Sequence, residues 1–184
     1  HLAIRPGSDV ALLNAMAQME DRSNTRLLII GGNPHRDQET IRLMSLAKDL
    51  GMNGEVSFLG TIAQPELPTY YSAADVSVLP SYYESFGLAA LEAMACGTPV
   101  IASRVGGLQT IVKHGETGYL IPWRCPDPFV ERLEMLLGSR ALRRTLGDGA
   151  RAEAEKMSWS LVADRLLELY DSLTGVCCAS AAGR

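Results

Sequence analysis

Short apolar runs alternate with stretches of helical periodicity along most of the chain. Leu27–Ile30, Val56–Leu59, Val76–Leu79, Val100–Ala102 and Tyr119–Ile121 are brief and rich in Val, Ile and Leu, the signature of strands buried on both faces. Between and before them, Asp9–Met19, Arg36–Leu50, Pro65–Ser72, Gly87–Cys96 and Leu108–Lys113 carry helical spacing. Strand and helix in strict alternation predict an α/β fold. Its sheet should be parallel and Rossmann-like, with helices on both faces.

Beyond Ile121 the strands stop. Asp127–Leu137, Arg140–Leu146, Ala150–Lys156 and Leu161–Leu173 read as four helices, with Gly138, Gly147 and the Ser158–Trp159–Ser160 cluster as punctuation. The pattern divides the chain into a nucleotide-binding domain over residues 1–157, a C-terminal helix over 158–175 and a tail over 176–184. Leu161, Val162, Leu166, Leu169, Tyr170 and Leu173 form one stripe of the last helix. That stripe either packs into this domain's own core or docks onto another domain, to the N-terminal side of this one. At the other end His1–Leu2–Ala3–Ile4 runs straight into Arg5–Pro6–Gly7–Ser8, so the leading strand of the sheet is expected to be mostly missing. A gap there would leave the chain open to self-association.

Composition narrows the classes. The 184 residues are 47% hydrophobic and 21% charged, ordinary for a folded domain. A formal net charge of −4 gives no basic footprint for nucleic acid. No apolar run nears the roughly 18 residues of a membrane span, and nothing in these residues reads as a secretory leader, so secretion is not expected. Cys96, Cys125, Cys177 and Cys178 lack metal-ligand spacing, so no metal site is expected and a reducing cytoplasm is the default location.

In an open parallel sheet, ligands lie beyond the carboxyl ends of the strands. Three strands here run into glycine-bearing loops that should open on one rim: Gly31–Gly32, Pro80 to Gly87, and Ser103 to Gly107. Glycines let a backbone approach closely, and helix starts behind them offer free N–H groups to an anion. A single pair such as Gly31–Gly32 is equally a plain turn. Three together favour a phosphate-bearing ligand. No dinucleotide fingerprint or phosphate-cradling GK[ST] loop is present.

With Leu88 placed at zero on a helical wheel, Leu91, Ala95 and Glu92 fall at about 300°, 340° and 40°. Glu92 is therefore expected on the inward arc with the leucines, and Ala90 toward solvent. A carboxylate on an apolar face needs a partner. It either snorkels to an Arg or accepts hydroxyls from a ligand. Glu84 lies in the loop ahead of the same helix, where it and Glu92 would bracket a sugar nucleotide.

At this segment the sequence resembles the retaining glycosyltransferases of family 4, which have the GT-B architecture. Their signature stands here as Pro80–Ser81–Tyr82–Tyr83–Glu84–Ser85–Phe86–Gly87 and, after four residues, Glu92–Ala93–Met94–Ala95–Cys96–Gly97–Thr98–Pro99–Val100–Ile101–Ala102. Val56 to Gly60, Tyr71 to Val76, Gly106–Gly107 and Gly115 to Leu120 flank it in the family's pattern, so the resemblance covers nearly the whole chain. It implies one half of a GT-B fold, the half that binds a nucleotide-diphospho-sugar donor. Glu84 would act at the donor sugar as the catalytic carboxylate. Ser85, Phe86, Gly87 and Leu88 would meet sugar and phosphate, Glu92 the ribose, Leu59 and Thr61 the base, and Gly31 the cleft wall. No bound metal or covalent cofactor is required in that family.

Two departures stand out. The family's G-R-x-x-x-x-K-G diphosphate clamp would place its Lys at Pro6 and its Arg upstream of residue 1. Arg5 is then the candidate phosphate contact, or a solvated loop residue. Gln109–Thr110 replace the Pro-Glu that often follows the G-G-x step. The acceptor site belongs to the other, N-terminal domain of such proteins, as would any peripheral membrane attachment, so this chain alone is expected to transfer no sugar. The alternatives are a nucleotide-sugar epimerase of the same fold and a non-catalytic nucleotide-sugar-binding module.

Overall fold

The computed structural model describes residues 2–4, 10–122 and 126–174. Arg5, Cys125, Cys177, Cys178 and the expected tail lie outside them. Six parallel strands form one sheet: β1 (Leu2–Ile4), β2 (Leu27–Ile30), β3 (Val56–Gly60), β4 (Val76–Leu79), β5 (Val100–Ser103) and β6 (Gly118–Ile121). Their spatial order is β3-β2-β1-β4-β5-β6, so the chain reverses its direction of travel across the sheet between β1 and β4. That order is the doubly wound one, in which the crevice beside the reversal is the binding position.

The five apolar runs expected as strands are strands, within a residue at each end. The opening segment is a correction. Leu2–Ile4 is not a missing strand but the central one, pairing Leu2 with Leu27 on one side and with Val76 on the other. Three residues are enough there because both flanks hold them. The gap that motivated self-association is therefore filled.

Period two along the strands sorts the core. Leu27, Ile29, Val76, Val78, Ile101, Tyr119 and Ile121 belong to one apolar cluster with Leu12, Leu13, Leu43, Phe129, Leu133 and Leu136. These last six come from α1 (Val10–Gln18), α2 (Gln38–Asp49) and α6 (Pro126–Gly138). The intervening positions Ser77, Leu79, Val100 and Ala102 are buried toward the opposite face. There α3 (Leu67–Ala73) packs beside α4 (Leu88–Ala95), and α4 lies on β4 and β5, with the short α5 (Leu108–Ile111) next to it.

Local chemistry starts α2. Asp37 is extended and its side chain accepts from the Thr40 amide. That bond and the one from the Thr40 hydroxyl hold the Asp37 carboxyl below the ordinary aspartate value, with the Thr40 side-chain bond the larger cause. The lowered value means that this cap stabilises fully above about pH 4 and loses its contribution as the pH falls through the folded-state value. Hydrogen exchange of the Thr40 and Ile41 amides should accelerate in acid relative to an Asp37→Asn variant, whose cap carries no titrating group. Equal acceleration in both would refute the capping role.

Two expected helices are one. α7 runs unbroken over Arg140–Glu155, straight through Gly147 and Gly149. A Cβ on Gly147 would lie 2.2 Å from the Gly97 carbonyl oxygen, and one on Gly149 would lie 2.6 Å from that of Glu116. The glycines are contact points, not breaks. The described structure falls into two compact units, the first ending at Ala154 and the second beginning at Glu155. The second contains α8 (Trp159–Thr174), whose Trp159, Leu166, Leu167, Leu169, Tyr170 and Leu173 are exposed.

Candidate functional site

Each residue expected to meet the donor, Arg5 excepted, lies at or behind the carboxyl ends of β2, β3 and β4. At β2 and β3 the chain turns through Gly31, Gly32 and Gly60, all with positive φ. The Gly31 amide donates to the Gly60 carbonyl at 2.6 Å, and the Thr61 hydroxyl donates to the Gly32 carbonyl at 3.5 Å. A side chain at Gly31 would need the left-handed backbone that only glycine adopts without strain. These bonds join Gly31, Leu59 and Thr61 into one wall, with Leu59 exposed on it.

Beyond β4 the loop from Ser81 to Gly87 crosses toward α4. Gly87 is left-handed, with φ 100° and ψ 41°, which turns the chain abruptly into the helix. The first amides of α4 have no partner inside the helix and face the loop side, where the helix dipole is positive. The Glu84 carboxylate sits at this entrance: its Oε1 accepts from the Gly87 amide at 3.1 Å. The entrance to α4 thus already holds one anionic oxygen, the chain's own.

The Gly106–Gly107 pair does something other than expected. A Cβ on Gly106 would lie 1.8 Å from the Glu84 carbonyl oxygen, and one on Gly107 would lie 2.4 Å from that of Phe86. The Gly107 amide donates to the Glu84 carbonyl at 3.0 Å. The pair therefore presses backbone against backbone and fixes the loop that carries Glu84. Gln109 and Thr110, just beyond it, are both exposed.

The orientation of α4 corrects the helical-wheel expectation. Ala90, expected to face solvent, is 0% exposed, and Leu88, expected inward, is 53% exposed. Ala89, Ala90, Ala93 and Met94 form the buried face. The wheel grouped the residues properly but chose the wrong phase. Close approach to the sheet selects small side chains, and it leaves Leu88, Leu91, Glu92 and Ala95 on the side away from it. Glu92 is half-buried on that outer face. Its partner comes from α3: the Tyr71 hydroxyl donates to Glu92 Oε2 at 3.2 Å. The sequence places Tyr71 in a helix and at the head of a flanking family segment without giving it a role; its spacing of four from buried Leu67 is the signal that turns it inward.

Exposed apolar side chains gather at the same rim. Tyr82, Tyr83, Phe86, Leu88 and Leu59 all belong to it. Such a concentration is what a ligand- or partner-binding surface presents. A larger depression of about 510 Å³ lies at the other end of the strands, between Glu20, Asp21, Asp75, Glu134 and Arg143. Its one cation among the described residues is already engaged. Arg143 pairs with Asp75 at 3.1 Å and donates to the Leu136 and Leu137 carbonyls, which closes the end of α6. Among the described residues no group of three or more His, Cys, Asp or Glu could hold a metal ion, and no helix is long and apolar enough to cross a membrane.

Comparison with known proteins agrees with this architecture. The D-inositol 3-phosphate glycosyltransferase of Corynebacterium efficiens is 41% identical over 172 residues, which cover 91% of this chain and 40% of that protein. The chain spans about two fifths of the length of the curated relatives it matches. Among solved structures, sucrose-phosphate synthase from Thermosynechococcus elongatus superposes with a TM-score of 0.84 at 38% identity, covering 95% of this chain and 45% of that one. The C-terminal domain of a glycosyl transferase group 1 family protein from Francisella tularensis matches with a TM-score of 0.74 at 27% identity, over 84% of both chains. The sheet and its helices are the Rossmann-like half of a GT-B fold. The family model described as glycosyl transferases group 1 matches residues 10–153, and the chain belongs to that family.

Proposed function

We propose that this chain is the donor-binding half of a retaining glycosyltransferase, and that it holds a nucleotide-diphospho-sugar at the rim beside β4. The observation that carries the reading is the Glu84 carboxylate seated at the N-terminus of α4, next to the strand-order reversal, on the helix that also carries Glu92. Glu84, at the helix entrance, meets the donor-sugar hydroxyls. Amides of Ser85, Phe86 and Leu88 face the diphosphate, with the positive end of α4 behind them, while the Gly87 amide holds the Glu84 carboxylate in place. When the glycosidic bond breaks, the electron pair goes to the leaving phosphate oxygen, and these fixed dipoles meet the new charge without reorganising. Glu92 accepts the ribose hydroxyls, and Gly31, Leu59 and Thr61 wall the base side. The donor is a substrate, and no metal is required in this reading.

The acceptor would come from the part of the parent protein that the chain does not span. In this reading the exposed stripe of α8 docks there. This chain alone should then transfer no sugar, and detectable transfer from any common nucleotide sugar would overturn that part of the proposal.

Binding is the direct test. Calorimetric titration with UDP, GDP, ADP and the corresponding glucose conjugates should find one base that binds. Glu92→Gln should weaken the nucleoside diphosphate by about tenfold, as loss of a charge-assisted hydrogen bond does. Glu84→Gln should instead erase the preference for the sugar conjugate over the bare diphosphate. A folded wild-type chain that binds none of these would sink the donor-site reading in favour of an interaction module.

A further inference from the structure

We propose that Tyr71 is a positioning residue: its hydroxyl holds the Glu92 carboxylate in the one orientation that accepts a ribose diol. The inference rests on the reading of Glu92 as the ribose acceptor and goes beyond it, because Tyr71 acts through the carboxylate.

The argument begins with how firmly Tyr71 is held. It lies near the end of α3 and is only 4% exposed. Its main chain is tied twice. The Tyr71 carbonyl accepts from the buried Thr98 hydroxyl at 2.6 Å and from the Ala74 amide at 3.1 Å. Thr98 is itself fastened to α4, its amide donating to the Ala93 carbonyl at 3.0 Å. The turn after α4 therefore fixes the ends of both helices at once, and the Tyr71 ring is aimed from one toward the other. A buried phenol needs a polar partner. Glu92 Oε2, 3.2 Å away, takes that hydroxyl.

Glu92 is less enclosed. It is half-buried on the outer face of α4, on three rotatable bonds. Ordering such a side chain on binding costs affinity. A fixed hydroxyl donating to one oxygen lowers that cost before the ligand arrives. It takes one of about four lone-pair positions on the carboxylate. Beside the pair lies a depression of about 210 Å³, walled by Gln64, Leu67, Pro68, Tyr71, Glu92 and Cys96. Tyr71 supports the carboxylate from the protein side of that space.

The consequence is specific to the ribose. The test measures affinity of the 184-residue chain for UDP, GDP and ADP against their 2′-deoxy and 3′-deoxy forms, in wild type, Tyr71→Phe, Glu92→Gln and the double variant. Tyr71→Phe should weaken the ribonucleotide that binds by about five- to tenfold. It should leave the deoxy forms unchanged, so the ribose preference falls by the same factor. In the double variant that factor should vanish, because Phe has no glutamate to lose. Tyr71→Phe with an undiminished ribose preference would overturn the proposal. So would an equal loss for ribo and deoxy forms with a lowered melting temperature, the result of a purely structural tyrosine. If Glu92→Gln itself leaves the preference intact, the ribose reading of Glu92 fails and takes the positioning role with it. Loss in Glu92→Gln but none in Tyr71→Phe rejects Tyr71 alone.

Discussion

Gly107→Ala is expected to abolish nucleoside-diphosphate binding and to cost about 2–3 kcal/mol of stability, the upper part of the usual range for overpacking. The backbone at this position is unexceptional, so strain is not the cause. Space is. The added methyl carbon would lie 2.4 Å from the Phe86 carbonyl oxygen and 2.6 Å from both the Phe86 Cα and the Ser85 carbonyl oxygen. All three are backbone atoms, so no side chain can swing aside. Either the loop from Ser81 to Gly87 moves or α5 does, and the loop carries Glu84 and the entrance to α4. Urea denaturation and calorimetric titration on the same preparation measure both effects. Gly138→Ala is the control: its methyl meets nothing within 4 Å at the end of α6, and stability should stay level or rise by up to about 1 kcal/mol. A Gly107→Ala chain that binds like wild type would show that the glycine pair does not set the loop.

The second large effect reverses a local rule. Gly147 lies in the interior of α7, where alanine is intrinsically better by about 1 kcal/mol. Gly147→Ala is nonetheless expected to destabilise the chain by about 1–3 kcal/mol net. Its methyl would meet the Gly97 carbonyl oxygen at 2.2 Å and the carbonyl carbon at 3.2 Å. Gly97 is in a left-handed turn with φ 75°, immediately before the strand β5, and so has little freedom to retreat. The displaced helix would shift that turn, which also holds Thr98 and through it Tyr71. A shift in the urea midpoint at unchanged slope measures the effect. A more stable Gly147→Ala would mean that α7 is not pressed against this turn.

Both predictions turn on glycines whose meaning in the sequence was ambiguous. Gly106–Gly107 looked like a place for a ligand to approach, and Gly147 looked like the end of a helix. Each is instead a place where one stretch of backbone approaches another. A glycine announces that something comes close or that the chain turns, and only the neighbouring element shows which. The wheel of α4 failed for a related reason. Leucines are the stronger hydrophobes, but the sheet beneath presents Ser77, Val100 and Ala102, and a helix comes nearest through alanines. Leu88 was therefore left on the rim and Glu92 turned toward α3.

By itself the sequence determined the strands β2 to β6 and the alternation that makes the sheet parallel, and it singled out the segment from Ser81 to Glu92 as the expected place for chemistry. Those properties are local. A buried run of Val, Ile and Leu has few alternatives to a strand, and the spacing of Glu84 and Glu92 is written in the chain. The tertiary structure alone decided that three residues, Leu2–Ile4, serve as the central strand, because their stability comes from β2 and β4 and not from their own length. It alone decided the phase of α4, the continuity of α7, and the pairing of Tyr71 with Glu92 across 21 positions. Each of these depends on distances between elements remote in sequence, which no periodicity within one element can encode.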